Sequence, residues 1–107
     1  MENHSFKIIW AGPAKRDFEK IITQIAQAAP VRAANFGAGL LGAVETLQKR
    51  PRRCAHLYET QVCRYLLYQR YRIVFYIDAT KSIVYIVALL FPYQQFNLSR
   101  LSFIRQD

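Results

Sequence analysis

Histidine, cysteine and acidic residues are scarce in this chain of 107 residues, and each scarcity argues against a class of function. Any histidine-based acid–base scheme would rest on His4 or His56, and His56 lies in a predicted loop beside basic residues, where a solvated role is favoured. Structural zinc usually takes four ligands, whereas Cys54, His56 and Cys63 are three candidates at no common zinc spacing. We therefore predict no metal, and free thiols in a reducing compartment.

Long apolar runs and familiar catalytic motifs are also missing. The run Ile83–Phe91 is under half of the roughly 20 residues that span a bilayer, so we predict no membrane segment. Met1–Lys7 has no signal-peptide architecture, so we expect a cytoplasmic protein. A Gly-x-Gly-x-x-Gly match at Gly37–Gly42 lies inside a predicted helix rather than after a strand. These glycines predict close helix packing, and we predict no cofactor.

Acidic residues number only 7 against 15 Lys and Arg, giving a formal net charge of +8. This balance favours an anionic partner such as nucleic acid, the ribosome or an acidic protein segment, although charge also simply keeps a protein soluble. Four basic residues form a compact cluster that could contact phosphate or an acidic peptide, or be a solvated helix end. They are Lys49, Arg50, Arg52 and Arg53.

Abundant β-branched and aromatic residues mark the second half of the chain. Two such runs, Tyr71–Asp78 and Ile83–Leu90, are separated by a short turn segment and predict a β-hairpin. Neither run alternates between apolar and polar residues, which indicates strands covered on both faces. A chain this short has few elements to cover two faces, so one face is a candidate for closure by a partner.

The remaining patterns predict one α+β domain over residues 1–107. A helical hairpin would pack on a mostly antiparallel four-stranded sheet, in the order β-α-α-β-β-β. The predicted elements besides the hairpin are a strand over Phe6–Trp10, a helix from Pro13 to about Ala29, a helix over Val31–Lys49, a loop over Pro51–Glu59, a strand over Val62–Tyr68 and a short last helix from Asn97.

Arginines and tyrosines are interleaved along the predicted strands. Two interpretations stay open: a face that stacks bases and binds phosphate, or half-buried residues of an ordinary sheet. The residues concerned are Arg64, Arg70 and Arg72 with Tyr65, Tyr68, Tyr71 and Tyr76.

In its order of elements the chain resembles the RelE/ParE toxin superfamily of type II toxin–antitoxin systems, from Phe6 to about Phe91. Three segments carry the resemblance. Pro13–Phe18 matches a Pro-Ala-x-x-Asp-like helix start, and Val44–Pro51 matches the proline-terminated end of the long helix. Tyr71–Tyr76, preceded by the strand Cys63–Tyr68, matches a Tyr-Arg-Ile strand. Gln69 stands where the family usually has the glycine of a tight turn, which weakens the prediction of that turn.

The resemblance implies a cognate antitoxin, in a toxin–antitoxin hetero-oligomer, and a target that is DNA gyrase or the ribosome. In RelE-like ribosome-dependent RNases the strand arginine, here Arg72, belongs to the catalytic face, with Arg64 and Tyr93 as supporting candidates. These enzymes also use basic, tyrosine or histidine residues after the last strand, where Leu90–Gln95 offers only Tyr93, and Arg100 lies further on.

This departure favours the ParE-like branch, which inhibits gyrase without catalysis. A ribosome-dependent mRNA endonuclease and a basic nucleic-acid-binding module remain as alternatives. The residues that we predict to bind the target or an anionic partner are Lys49, Arg50, Arg52, Arg53, Arg70 and Arg100.

Overall fold

The structure is a computed structural model that describes residues 5–104, with burial described up to residue 102. Its helices and strands are β1 (Lys7–Trp10), α1 (Gly12–Ala26), α2 (Pro30–Glu45), β2 (His56–Leu57), β3 (Thr60–Tyr68), β4 (Tyr71–Asp78) and β5 (Ile83–Leu90). Short 3₁₀ turns cover Thr46–Gln48, Pro51–Arg53 and Leu98–Ile104.

The strands form one sheet in the order β1-β5-β4-β3-β2. β1 pairs in parallel with β5, and the other neighbours are antiparallel. The predicted α+β class and the mostly antiparallel sheet are confirmed, and β4 and β5 have the predicted bounds. The sheet has one strand more than the predicted four, because β2 lies within the predicted loop. A strand of two residues is too short to show the alternation of apolar and polar residues by which strands are predicted.

Both helices pack on one face of the sheet, as the apolar stripes indicate. Each helix begins with a proline in its first turn, where the missing N–H has no intrahelical partner to lose. α2 ends at Glu45 rather than at the predicted Lys49, and the chain continues into the 3₁₀ turn Thr46–Gln48. The basic cluster therefore lies after the helix, in a loop. Within residues 5–104, no helix has the length and apolar character needed to cross a membrane.

The first core lies between the helices and the sheet. Phe36 on α2 makes edge contacts with Tyr68 and Tyr71, at centroid distances of 5.3 and 5.1 Å. These tyrosines are therefore half-buried sheet residues that pack on the helix. The buried side chains of this core include Ala14, Ile21, Phe36, Leu40 and Val44 from the helices and Ile73, Phe75, Val84, Ile86 and Leu89 from the sheet.

The glycines of α2 explain part of this close approach. A Cβ atom on Gly37 would lie 3.2 Å from the Ile22 side chain, and one on Gly39 would overlap the hydroxyl of Tyr68. Close packing is therefore found at these two positions, although side chains rather than another backbone approach the helix there. The prediction is wrong at Gly42, where a Cβ atom would meet nothing within 4 Å.

The opposite face of the sheet is closed from within the chain. Phe96, 5% exposed, packs with Val74, Val87 and Leu90, and Leu101 lies against the same cluster. The short length of the chain suggested a partner for one face, but the segment after β5 covers the centre of this one. The second core therefore depends on how that segment is held.

A two-residue turn, Gln69-Arg70, joins β3 to β4. Both residues have positive φ, 47° and 75°, although neither is glycine. The tight turn therefore forms, although Gln69 replaces the usual glycine. The five register pairs between β3 and β4 hold the strands together in spite of the backbone strain at these two residues.

Candidate functional site

Arg72, the strand arginine that the resemblance places on a catalytic face, is the centre of a clamp. Its guanidinium donates to both carboxylate oxygens of Glu59, Nη1 to Oε1 at 2.9 Å and Nη2 to Oε2 at 3.0 Å. Nη2 also donates to the carbonyl of Gln94 at 2.7 Å. One side chain of β4 thus joins the turn before β3 to the segment after β5.

This clamp is electrostatically self-contained. The side chain of Glu59 is only 9% exposed, and its Oε2 also accepts the backbone N–H of Phe96 at 3.0 Å. Hydrogen bonds from Arg72 lower the pKa of Glu59 to about 2, and the same bonds raise the pKa of Arg72. The pair therefore stays ionised at neutral pH, and the charge of Arg72 is compensated inside the protein.

A second clamp, between Arg100 and Asp17, holds the last 3₁₀ turn. The guanidinium donates to both carboxylate oxygens, at 3.0 and 3.1 Å, and to the carbonyl of Val87 at 2.8 Å. Asp17 also accepts the backbone N–H of Leu89 at 3.0 Å. The clamp thereby covers the part of the β5 edge that the short β1 does not reach. Arg100, predicted as a partner-binding residue, has an internal partner here.

Arg64 and Arg53 shape the loop that carries the basic cluster. Nη1 of Arg64 donates to the carbonyls of Cys54, at 2.6 Å, and Arg52, at 3.2 Å. Nη1 of Arg53 donates to the carbonyls of Lys49 and Arg50, at 2.9 and 3.2 Å. These two arginines therefore hold the backbone of the loop in place through its carbonyl groups.

The other predicted site residues are exposed. Lys49 and Arg50 follow the end of α2, and Arg70 lies at the turn between β3 and β4, at the opposite end of the sheet. Tyr93 is 92% exposed, with a φ of 69°, and directly precedes Gln94, whose carbonyl Arg72 binds. The structure thus brings the segment of Tyr93 to Arg72 and leaves Arg70 apart.

Sequence reasoning missed the two carboxylates that define the clamps. Asp17 is visible in the sequence only as part of the helix-start motif, and nothing marks Glu59. The scarcity of acidic residues was the available signal, since in a chain with 15 basic residues each carboxylate can find an arginine. No spacing rule connects residues 13 or 83 positions apart.

The outer edge of β1 borders a groove that apolar and polar side chains line together. Lys7 and Ala11 donate their N–H groups to Ser82 and Ile86 along β5, each at 2.9 Å. Ile8 and Trp10 therefore direct their backbone groups away from β5, towards an edge with which no other strand of residues 5–104 pairs.

Two adjoining clefts form this groove, with volumes of about 420 and 230 Å³. Both are lined by Trp10 and Leu41, and Leu41 is 44% exposed. An open strand edge beside such pockets can accept an extended segment of another protein, which would pair with the edge and bury side chains in the pockets.

Comparison with known families decides the identity of this fold. Residues 8–90 match the family described as "ParE toxin of type II toxin-antitoxin system, parDE". The chain belongs to the ParE toxin family. The match ends at the last residue of β5. The segment after β5, which covers the sheet face opposite the helices in this ParE-family chain, therefore lies beyond the match. A comparison with curated proteins found no match.

Solved structures show the same fold. The chromosomal ParDE system from P. aeruginosa matches with a TM-score of 0.74 and 16% identity, over 84% of this chain and 99% of that one. The RelBE2 toxin–antitoxin complex from Mycobacterium tuberculosis matches with a TM-score of 0.59 and 20% identity, over 82% and 92%. The isolated E. coli RelE toxin matches with a TM-score of 0.51 and 12% identity, over 94% and 98%.

Proposed function

We propose that this ParE-family chain is neutralised by a cognate antitoxin and acts by binding DNA gyrase, without catalysing a reaction. The observation that carries the second half of the proposal is the clamp between Arg72 and Glu59. Cleavage of RNA by its 2′-hydroxyl needs a base for that hydroxyl and a free positive charge for the developing phosphorane. Arg72 has its charge compensated and donates to Glu59 and Gln94.

Opening the clamp would be costly. Binding a phosphate through Arg72 would leave Glu59 ionised and almost buried without its partner, and breaking such a pair is strongly unfavourable. The same contacts hold Gln94 and Phe96, so an open clamp would also loosen the second core. The geometry therefore supports Arg72 as a structural residue, and a toxin that acts through its surface.

The groove beside β1 supports the antitoxin. Within residues 5–104 it offers a strand edge that no other strand pairs with, and pockets that contain Trp10 and Leu41, as an extended partner segment needs. The chain carries a net charge of +8, so an acidic partner is electrostatically complementary. We expect Leu41→Glu to abolish binding of the cognate antitoxin, because it would place a carboxylate among the apolar side chains of the groove.

A matched control exists on the same helix. Val31 is 75% exposed on α2 and lines neither cleft of the groove, so Val31→Glu should leave antitoxin affinity unchanged. Isothermal titration calorimetry on both variants measures the difference. Equal affinities for the two variants would place the antitoxin on another surface.

The gyrase proposal is tested by a supercoiling assay with increasing amounts of the purified protein, run with a lane for trapped cleaved DNA. We expect inhibition, with accumulation of cleaved gyrase–DNA complexes. A parallel assay follows mRNA cleavage on programmed ribosomes, where we expect no products. Folded protein that leaves gyrase untouched and cuts ribosome-bound mRNA would refute the proposal in favour of the endonuclease.

A further inference from the structure

Basic residues from three distant parts of the sequence meet at one end of the sheet. The N–H of Phe6 donates to the carbonyl of Gln48, and the N–H of Lys7 to that of Ser82, both at 2.9 Å. The guanidinium carbon of Arg52 lies 6.0 Å from the centre of the Phe6 ring. These contacts bring the start of β1, the loop after α2 and the turn between β4 and β5 together. Five exposed cations of this end form what we call the basal patch: Lys7, Lys49, Arg50, Arg52 and Lys81. Arg53 of the same loop is exposed too, but its guanidinium binds loop carbonyls.

The charge of the basal patch is largely uncompensated. Within residues 5–104 none of its five side chains makes an ion pair. Among the described residues, the carboxylates on neighbouring segments are Glu45, at the end of α2, and Asp78, which accepts the N–H of Lys81. With Arg53, the described residues place six cations against two carboxylates, which leaves an excess of four positive charges at this end. Asp17 and Glu59 are committed to the clamps elsewhere.

The composition of the patch selects the kind of ligand. Protein interfaces centre on buried apolar or aromatic anchors, whereas a phosphate backbone is held by charge. The patch presents five cationic head groups, and the exposed apolar side chain placed beside it is Leu41, which shares a cleft with Lys7. A polyphosphate therefore suits the patch better than an acidic peptide does.

We infer that the basal patch binds the phosphate backbone of duplex DNA, without reading its sequence. The inference rests on the proposed function, since an inhibitor of gyrase acts on an enzyme that holds duplex DNA. The groove beside β1 is the surface that suits the antitoxin, and the basal patch adjoins it at Lys7, which also lines the larger cleft. The toxin would thus contact the DNA of a gyrase complex as well as the enzyme.

The loop that carries most of the patch is held in place before any ligand binds. Arg53 binds the carbonyls of Lys49 and Arg50, and Arg64 binds that of Arg52. Three of the five cations therefore extend from a fixed backbone, so less conformational entropy is lost on binding than with a mobile loop.

The experiment is fluorescence anisotropy with a labelled duplex and the full chain, repeated over a range of salt concentrations. Each phosphate contact should contribute about −0.9 to the slope of log affinity against log salt. We therefore expect Lys49→Gln/Arg50→Gln to reduce the magnitude of the slope by about 2 and to weaken binding at low salt. The matched control is Arg16→Gln/Lys20→Gln, which removes two exposed cations from α1 instead. Its slope should stay at the wild-type value.

Three results would overturn the inference. The first is wild-type protein that does not bind the duplex at low salt. The second is an equal loss in both double variants, which would assign binding to net charge. The third is polyglutamate that binds as tightly as the duplex, which would indicate an acidic protein ligand. The supercoiling assay distinguishes the two proposals. DNA binding without gyrase inhibition would refute only the proposed function. Gyrase inhibition without DNA binding would refute only the assignment of the basal patch to DNA.

Discussion

Replacing Glu59 by glutamine tests whether the Arg72 clamp is a structural device. The pKa of Glu59 falls from 4.5 to about 2 because the folded protein hydrogen-bonds its ionised form to Arg72. A carboxylate with a lower pKa in the folded state stabilises that state above the unfolded pKa. The stabilisation is lost as the pH falls from about 4.5 towards 2.

The magnitude follows from the shift. One pKa unit corresponds to about 1.4 kcal/mol, so the full shift would represent about 3 kcal/mol. The side chain of Arg72 is 20% exposed, and solvent screens part of this interaction. We therefore expect Glu59→Gln to lower the free energy of unfolding at pH 7 by about 2 kcal/mol. Glu59→Gln leaves the charge of Arg72 uncompensated and keeps one oxygen acceptor for the Phe96 N–H.

Urea denaturation at pH 7 and pH 3 provides the measurement. Between pH 7 and pH 3 the wild type should lose more stability than Glu59→Gln. The difference in free energy of unfolding between the two proteins should therefore be smaller at pH 3. Glu19→Gln, on the exposed surface of α1, is the control and should follow the wild type. A gap that is the same at both pH values would show that the clamp does not carry the stability assigned to it.

Four further substitutions test other parts of the fold, the first three by urea denaturation. Gly42→Ala should stabilise the protein by about 1 kcal/mol because the site is open. Gly39→Ala should destabilise it by roughly 1–3 kcal/mol because the added methyl group overlaps Tyr68. A change in the free energy of unfolding with the same sign in both variants would refute the packing argument. Arg70→Gly should stabilise by about 1 kcal/mol by relieving a φ of 75°, and a net loss would contradict the assigned strain. Asp17→Asn should speed trypsin cleavage in the last 3₁₀ turn, detected by mass spectrometry, since it breaks the second clamp; an unchanged rate would contradict that role.

The C-terminal segment lies beyond the region of the chain that matches the ParE family. The family match ends at residue 90, yet residues beyond it close the second core through Phe96 and Leu101. Both clamps hold this segment, one through Gln94 and the other through Arg100. In this chain the two carboxylates therefore stabilise a cover that lies outside the family match.

Much of the fold could be predicted from the sequence because its signals are local. Continuous β-branched and aromatic runs delimited β4 and β5 at the residues where the structure has them. Apolar stripes predicted both helices, and prolines marked where they begin. Signals that depend on few residues failed: the two-residue β2 has no pattern, and the end of α2 was placed four residues late, at Lys49 rather than Glu45.

The role of each strand arginine was decided by tertiary structure alone. An arginine next to tyrosines on a strand is compatible with a phosphate-binding face, and local propensity does not distinguish that face from a structural clamp. Arg72 meets Glu59 only because two strands and a turn bring them together, and Asp17 meets Arg100 only after α1 has packed against β5. The sequence by itself determined the order of the elements and the family, since propensity and periodicity act between near neighbours. Ion pairing depends on distance in space and on exclusion of water, so only the packed chain could decide which cations are held inside and which remain free for a partner.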